Sequence, residues 1–353
     1  MSVKRVNFGL DRFSGLYLWA AFIILFSILK PGLFPMMATV HSIAAQQAVS
    51  AILGMALVVP LAAGTYDLSV GATANLAAVI VIWLQSSQHW GVAASIVTAL
   101  LAAAFVGVVN GFLVTRLRIN SFIATLGMAS IVSASQTIVS DNNQPVPPVS
   151  STWSALTQQN FGGFQVVVIY VVVIGLFMWW ALEHTPAGRY VYAVGSNPEA
   201  ARLSGVRVNK WIWLSLITSG TLGGVAGVLY GSLSGPSLTF GQTLLLPAFA
   251  AAFLGSTQLK PGRFNIWGTV LAVYVLATGV QGLSFVTSAQ WLSDMFNGVA
   301  LIGAVWFAVS RQAGAASHPI WRMFRRRPAP PPGTPEPVGL DGEPSEVAGS
   351  PGT

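Results

Sequence analysis

The chain has 353 residues, of which 54% are hydrophobic and only 8% charged. A soluble domain carries about 25% charged residues, so this composition cannot build a water-facing surface and points to lipid as the solvent. The formal net charge of +7 does not signal nucleic acid, because the positions of the basic residues have a membrane explanation. The absence of cysteine excludes disulfides, thiol nucleophiles and Cys-based metal sites.

At the N-terminus, Lys4, Arg5 and Arg12 precede an apolar run, but Lys30-Pro31 follows it instead of a small-residue cleavage site. We read an uncleaved first span. Hydrophobic runs separated by turn signals place ten candidate spans near 14–33, 42–63, 68–86, 91–115, 120–140, 164–182, 210–232, 241–256, 264–285 and 291–310. The predicted fold class is all-α, a polytopic membrane protein of about ten transmembrane helices. With the N-terminus inside, sixteen of the 17 Lys and Arg residues fall on cytoplasmic segments and only Lys30 falls outside. That is a strong positive-inside bias, and it puts both termini in the cytoplasm of a bacterial inner membrane. The expected organisation is a cytoplasmic segment 1–13, a permease domain 14–310 and a cytoplasmic tail 311–353. The tail begins basic, with Trp321 and Phe324 among Arg322, Arg325, Arg326 and Arg327, which suits membrane lipid. From Pro328 it is Pro-rich and expected to be disordered.

Asn110-Gly111-Phe112-Leu113-Val114 resembles Gln281-Gly282-Leu283-Ser284-Phe285. The two stretches end the fourth and ninth spans, which run in opposite directions. That arrangement suits two inverted five-helix halves.

No catalytic constellation is visible. The four histidines lack partners at metal-ligand spacing, and no phosphate-cradling glycine loop is present. We expect no enzyme activity, no metal and no cofactor. Ion-driven transporters keep ionisable groups within their spans; here only Asp67 and Asp294 qualify, so the energy for transport is expected to come from a partner. An ion-coupled secondary transporter of a small polar solute is the alternative, and an integral membrane enzyme would need an acidic or histidine cluster that the sequence lacks.

The internal connection 183–210 is the most informative stretch. Asn197 is a good N-cap and Pro198 suits the first helical position. Glu199 sits in the first turn, where negative charge is favoured, and Gly205 can end the helix in a left-handed conformation. A helix of about two turns is unstable alone in water and must pack on something.

This segment, Asn-Pro-Glu-Ala-Ala-Arg-Leu-Ser-Gly-Val-Arg-Val-Asn-Lys (197–210), preceded by Thr-Pro-Ala-Gly-Arg-Tyr (185–190), resembles the coupling loop of ribose-type ABC importer permeases. Asp-Leu-Ser-Val-Gly (67–71), Asn-Ser-Phe-Ile-Ala-Thr-Leu-Gly (120–127) and Leu-Gly-Ser-Thr (254–257) with Gly268-Thr269 are similar to other stretches of the same family, in the same order. The resemblance implies a permease homodimer that imports a sugar or sugar-like solute. A cytoplasmic ATP-binding subunit would bind the coupling helix, and an extracytoplasmic solute-binding protein would deliver the solute. ATP would be bound by the partner. Asn197, Glu199, Ala201, Arg202 and Gly205 would then lie in or beside the ATPase contact. Tyr66, Leu245, Pro247 and the run Gln258-Leu259-Lys260-Pro261-Gly262 depart from the family pattern and leave the solute open.

Asp67 reads either as a cap for a restarting helix or as a pathway side chain. Gln47, Asn75, Gln281 and Asn297 are further pathway candidates, as are Gln46 and Gln136, because amides both donate to and accept from sugar hydroxyls. Interhelical hydrogen bonding is the competing role for each. Gly220, Gly223, Gly224 and Gly227 read as a helix-packing face.

Overall fold

The computed structural model describes residues 10–148, 150–287 and 289–315; the tail beyond 315 and the first nine residues lie outside them. The described chain is helical apart from one short hairpin. In order come α1 (Leu10–Leu29), α2 (Met37–Gln46), α3 (Ala48–Ala62), α4 (Val70–Ser86), α5 (Val92–Thr115), α6 (Ser121–Ser140) and α7 (Ser151–Gln158). The strands β1 (Asn160–Phe161) and β2 (Phe164–Gln165) follow. The remainder is α8 (Val166–His184), α9 (Pro186–Ser196), α10 (Pro198–Leu203), α11 (Val208–Leu233), α12 (Phe240–Gly255), α13 (Ile266–Val286) and α14 (Gln290–Ala315).

Each of the ten expected spans coincides with a helix, the second being the pair α2–α3. Five helices are long and apolar enough to cross a membrane alone, or six if α2 and α3, bent by 43° at Gln47, form one span. Three shorter apolar helices, Phe13–Leu29, Val70–Ser86 and Phe240–Gly255, cover the first, third and eighth. The polar residues and prolines in these runs shorten the helices without abolishing them. Three elements were not expected. These are α7, the hairpin, and α9, whose Pro186 fixes a first helical turn in a stretch that otherwise reads as loop.

Burial sorts the helices into a centre and a periphery. Every residue of α3 is buried, and nearly all of α4. Around them stand α11, α12 and α13. On α5, α6 and α8, large apolar side chains point outward, among them Leu101, Phe105, Ile123, Ile131, Val173 and Phe177. Hydrocarbon is the solvent that leaves such a surface uncosted. The glycine face of α11 packs as its spacing suggests. A Cβ at Gly227 would strike the Ala74 carbonyl, and one at Gly220 the Ala103 carbonyl. Small residues let these backbones touch.

Candidate functional site

The two short central helices begin inside the bundle. Residues 63–69, leading into α4, run beside the start of α6: the Tyr66 N–H donates to Ser121 Oγ at 3.1 Å and the Leu68 N–H to Thr125 Oγ1 at 3.0 Å. Residues 234–239, leading into α12, run beside its other end: Gln136 Nε2 donates to the Leu238 carbonyl at 2.9 Å and Gln144 Nε2 to the Pro236 carbonyl at 2.6 Å. The chain thus approaches along α6 from opposite ends, and the first turns of α4 and α12 meet. A Cβ on Gly71 would strike the Gly241 carbonyl, and one on Gly241 the Gly71 carbonyl.

Asp67 is completely buried. Its Oδ1 accepts from the Ser69 N–H at 3.0 Å and the Ser69 hydroxyl at 2.7 Å, and that hydroxyl in turn accepts from Asn110 Nδ2 at 2.8 Å. These bonds close the head of α4 and tie it to α5. Asn75, also completely buried, ties α4 to α12. Its Oδ1 accepts from the Gly241 N–H at 2.8 Å, and its Nδ2 donates to the Leu238 carbonyl at 2.9 Å and to Gln242 Oε1. Contact between Asn75 and a solute therefore requires this clasp to open.

Gln47 and Asn297, far apart in sequence, line one cavity of about 210 Å³ together with Ser50, Thr243 and Pro247. It lies where α3 starts after the bend and where Pro247 interrupts α12. Gln281 is half-buried on α13 and does not line it. Gln46 is exposed and bonded to Ser42 at 2.8 Å.

At the end of the bundle that carries α9 and α10, the short helix forms as its caps dictate. Asn197 accepts from the Ala200 N–H at 3.0 Å, Pro198 opens the helix, and Gly205 leaves it with φ +81. Glu199 and Arg202 pair at 2.9 Å on the exposed face. Ala201 points the other way and packs with Val194 and Val208, so its side chain seats the helix. Leu203, which the sequence reading passed over, is 90% exposed. An apolar residue ending a capped exposed helix was the available signal.

The preceding helix α9 and the end of α8 are firmly backed. Gly195 lies against the backbone of Ala62 and Gly64 at the end of α3. Tyr192 donates to the Phe264 carbonyl at 2.7 Å, and Arg263 lies 3.5 Å over its ring. Glu183 pairs with Lys260 at 2.7 Å and more loosely with Arg263 at 3.8 Å. Burial pushes the Tyr192 hydroxyl up to about 12, with the Arg263 charge opposing. The turn 256–265 that receives these contacts is held by Asn265, whose Nδ2 donates to the Gly255, Gln258 and Arg263 carbonyls. No cluster of potential metal ligands occurs among the described residues.

A family profile described as the permease component of branched-chain amino acid transport systems matches residues 39–305. The chain belongs to this permease family. The fructose import permease FrcC of Rhizobium meliloti is 33% identical over 278 residues, covering 76% of this chain and 77% of that protein. The ribose import permease RbsC of Bacillus subtilis (strain 168) is 29% identical over 313 residues, covering 86% and 94%. Its namesake in Escherichia coli (strain K12) is 30% identical over 295 residues, covering 80% and 89%. These relatives are transport permeases, not enzymes. An inward-facing ABC transporter structure of the metal-chelate type covers 85% of this chain at 14% identity and TM-score 0.46, too remote to add to the family evidence.

Proposed function

We propose that the chain is the membrane-spanning subunit of a bacterial importer that carries a sugar or sugar-like solute into the cell, driven by a separate ATPase. The observation that carries this reading is the exposed face of α10. Glu199, Arg202 and Leu203 stand on a capped two-turn helix whose inner face is packed and whose outer face has no partner among the described residues. A protruding leucine beside an ion pair suits docking by a soluble protein. Asn197 and Gly205 set the helix ends, and Ala201 seats the helix. We place this end in the cytoplasm because Arg116, Arg202, Arg207 and Lys210 gather there around one cleft, with Lys260 and Arg263 on the turn joined to α9. Both termini are then cytoplasmic. A solute-binding protein would deliver from the opposite face, and a second copy of the chain would complete the pathway. The simple-sugar relatives support the solute class, as do the amides and hydroxyls of Gln47, Ser50, Thr243 and Asn297 around one cavity. In this reading Gln281 flanks the route, and Asp67 and Asn75 govern how the central helices move beside it.

The test is co-purification from native membranes of the wild type, Glu199→Ala/Arg202→Ala and Leu203→Asp. An ATPase recovered with the wild type and lost with either variant supports the reading. Recovery with all three would move the docking surface elsewhere. If no ATPase is recovered with the wild type, and the purified chain takes up solute under an ion gradient, the secondary-transporter reading replaces it.

A further inference from the structure

Between the end of α5 and the α10–α11 junction lies a cleft of about 620 Å³ that import as described above does not use. Four cations surround it: Arg116, Arg202, Arg207 and Lys210. Arg202 shares Glu199. The other three have no carboxylate within ion-pair distance among the described residues, and the first turn of α11 holds no acidic residue. Like charges around one cleft repel, and the repulsion grows wherever low-dielectric hydrocarbon lies close by. An anion supplied from outside would relieve that repulsion.

The floor of the cleft identifies the kind of anion. It is formed by Trp213, Leu214 and Ile217 of α11. The Trp213 N–H is already spent on the Val108 carbonyl at 2.9 Å, so the floor makes no polar demand. From the cleft an apolar surface continues along the seam of α5 and α11, where Phe112, Val108 and Leu214 are 46%, 36% and 39% exposed. These residues belong to two of the helices apolar enough to cross a membrane. A free phosphate or nucleotide has no use for such a floor. An acidic segment of a soluble partner would have to enter the hydrocarbon to reach it. A molecule with a phosphate at one end and an alkyl chain at the other satisfies both parts.

We propose that this cleft holds the headgroup of an anionic phospholipid, its phosphate among Arg116, Arg207 and Lys210 and one acyl chain laid along the α5–α11 seam. Arg202 faces both this lipid and Glu199 of the exposed helix. Lipid occupancy therefore competes with the Glu199–Arg202 pair and links the local lipid composition to the shape of α10. The proposal needs only the membrane-spanning fold and stands whether or not an ATPase docks on α10.

The experiment is native mass spectrometry of the full-length purified chain in mild detergent, titrated with dioleoyl-phosphatidylglycerol or dioleoyl-phosphatidylcholine. The wild type should bind its first phosphatidylglycerol at least about fivefold more tightly than phosphatidylcholine, since each basic residue near a membrane surface contributes attraction of that order. Arg207→Gln/Lys210→Gln should bring the ratio to about one with an unchanged unfolding temperature. If that variant folds poorly, Lys210→Gln alone should lower the ratio about fivefold. Lys30→Gln/Arg189→Gln, which removes two cations elsewhere, should leave it unchanged. No preference in the wild type, a preference that survives Arg207→Gln/Lys210→Gln, or an equal loss in the control overturns the site. Equally effective competition by deacylated glycerophosphoglycerol overturns the acyl-chain half and leaves a free-anion site in its place.

Discussion

At the head of α4, the Asp67 carboxylate accepts hydrogen bonds from the N–H and hydroxyl of Ser69. At the head of α12, Ser237 stands the same distance before Gly241 as Asp67 before Gly71, and its hydroxyl accepts from the Thr239 and Phe240 N–H groups at 3.3 and 3.2 Å. Asp67-Leu68-Ser69-Val70-Gly71 and Ser237-Leu238-Thr239-Phe240-Gly241 are thus two versions of one local design, a polar side chain that accepts from the N–H two residues on, just before the helix starts. They differ in how firmly they are held. The α4 version uses a carboxyl group, is wholly enclosed and is bonded to α5 through Asn110. The α12 version has a neutral cap, takes its best helix-end bond from Asn75 on the opposite helix, and leads into a helix with Pro247 in its interior. Proline removes one internal hydrogen bond and strains the turn before it. The comparison makes α4 the fixed half and α12 the compliant one.

Six substitutions at five positions test this difference, each measured by chemical unfolding of the detergent-solubilised chain. Gly71→Val and Gly241→Val should have the largest effect, about 3 kcal/mol or more each, because either side chain would be driven into the facing backbone. Both should suffer alike, since the contact is mutual; a tolerated change on one side would show that the two heads do not touch. Asp67→Ala should cost about 2–3 kcal/mol by stranding buried donors, and Asp67→Asn less, because the amide oxygen still accepts. Asn75→Ala should cost about 1–2 kcal/mol. It should also speed hydrogen exchange at 238–243 more than at 68–73, and equal acceleration at both would end the distinction between a fixed and a borrowed cap. Ser237→Ala should be smallest, about 0.5–1 kcal/mol. A loss equal to that of Asp67→Ala would make the two halves equivalent.

Local signals made much of this visible in the sequence. The ten apolar segments declare themselves by their runs of apolar residues between turn signals, and α10 by the order Asn197, Pro198, Glu199, Gly205, since capping is settled within a few residues. Asp67 reads as a helix cap, whereas the N-cap is Ser69 and Asp67 accepts from its N–H just before the helix. The roles of Asn75, Gln47 and Asn297 were not legible. The main-chain partner of Asn75 lies 163 residues away, and Gln47 and Asn297 share a cavity only after α3, α12 and α14 have packed. The resemblance between 110–114 and 281–285 was visible, but the 67–71 and 237–241 pair was hidden by chemical dissimilarity at the caps. Its spacing along the chain is nearly the same as that of the first pair. The bend at Gln47 had no signal, because two glutamines neither demand nor forbid a break in a helix.

The contact of Gly195 with Ala62 and Gly64 has a mechanical meaning. Main chain rests there on main chain, with no side chain between that could change rotamer and absorb a displacement. A push on α9 arrives at the end of α3 without lost travel, as through a gear cut with no backlash. Side-chain changes nearby alter how tightly this joint is held; a Cβ placed at Gly195 or Gly64 alters its gauge.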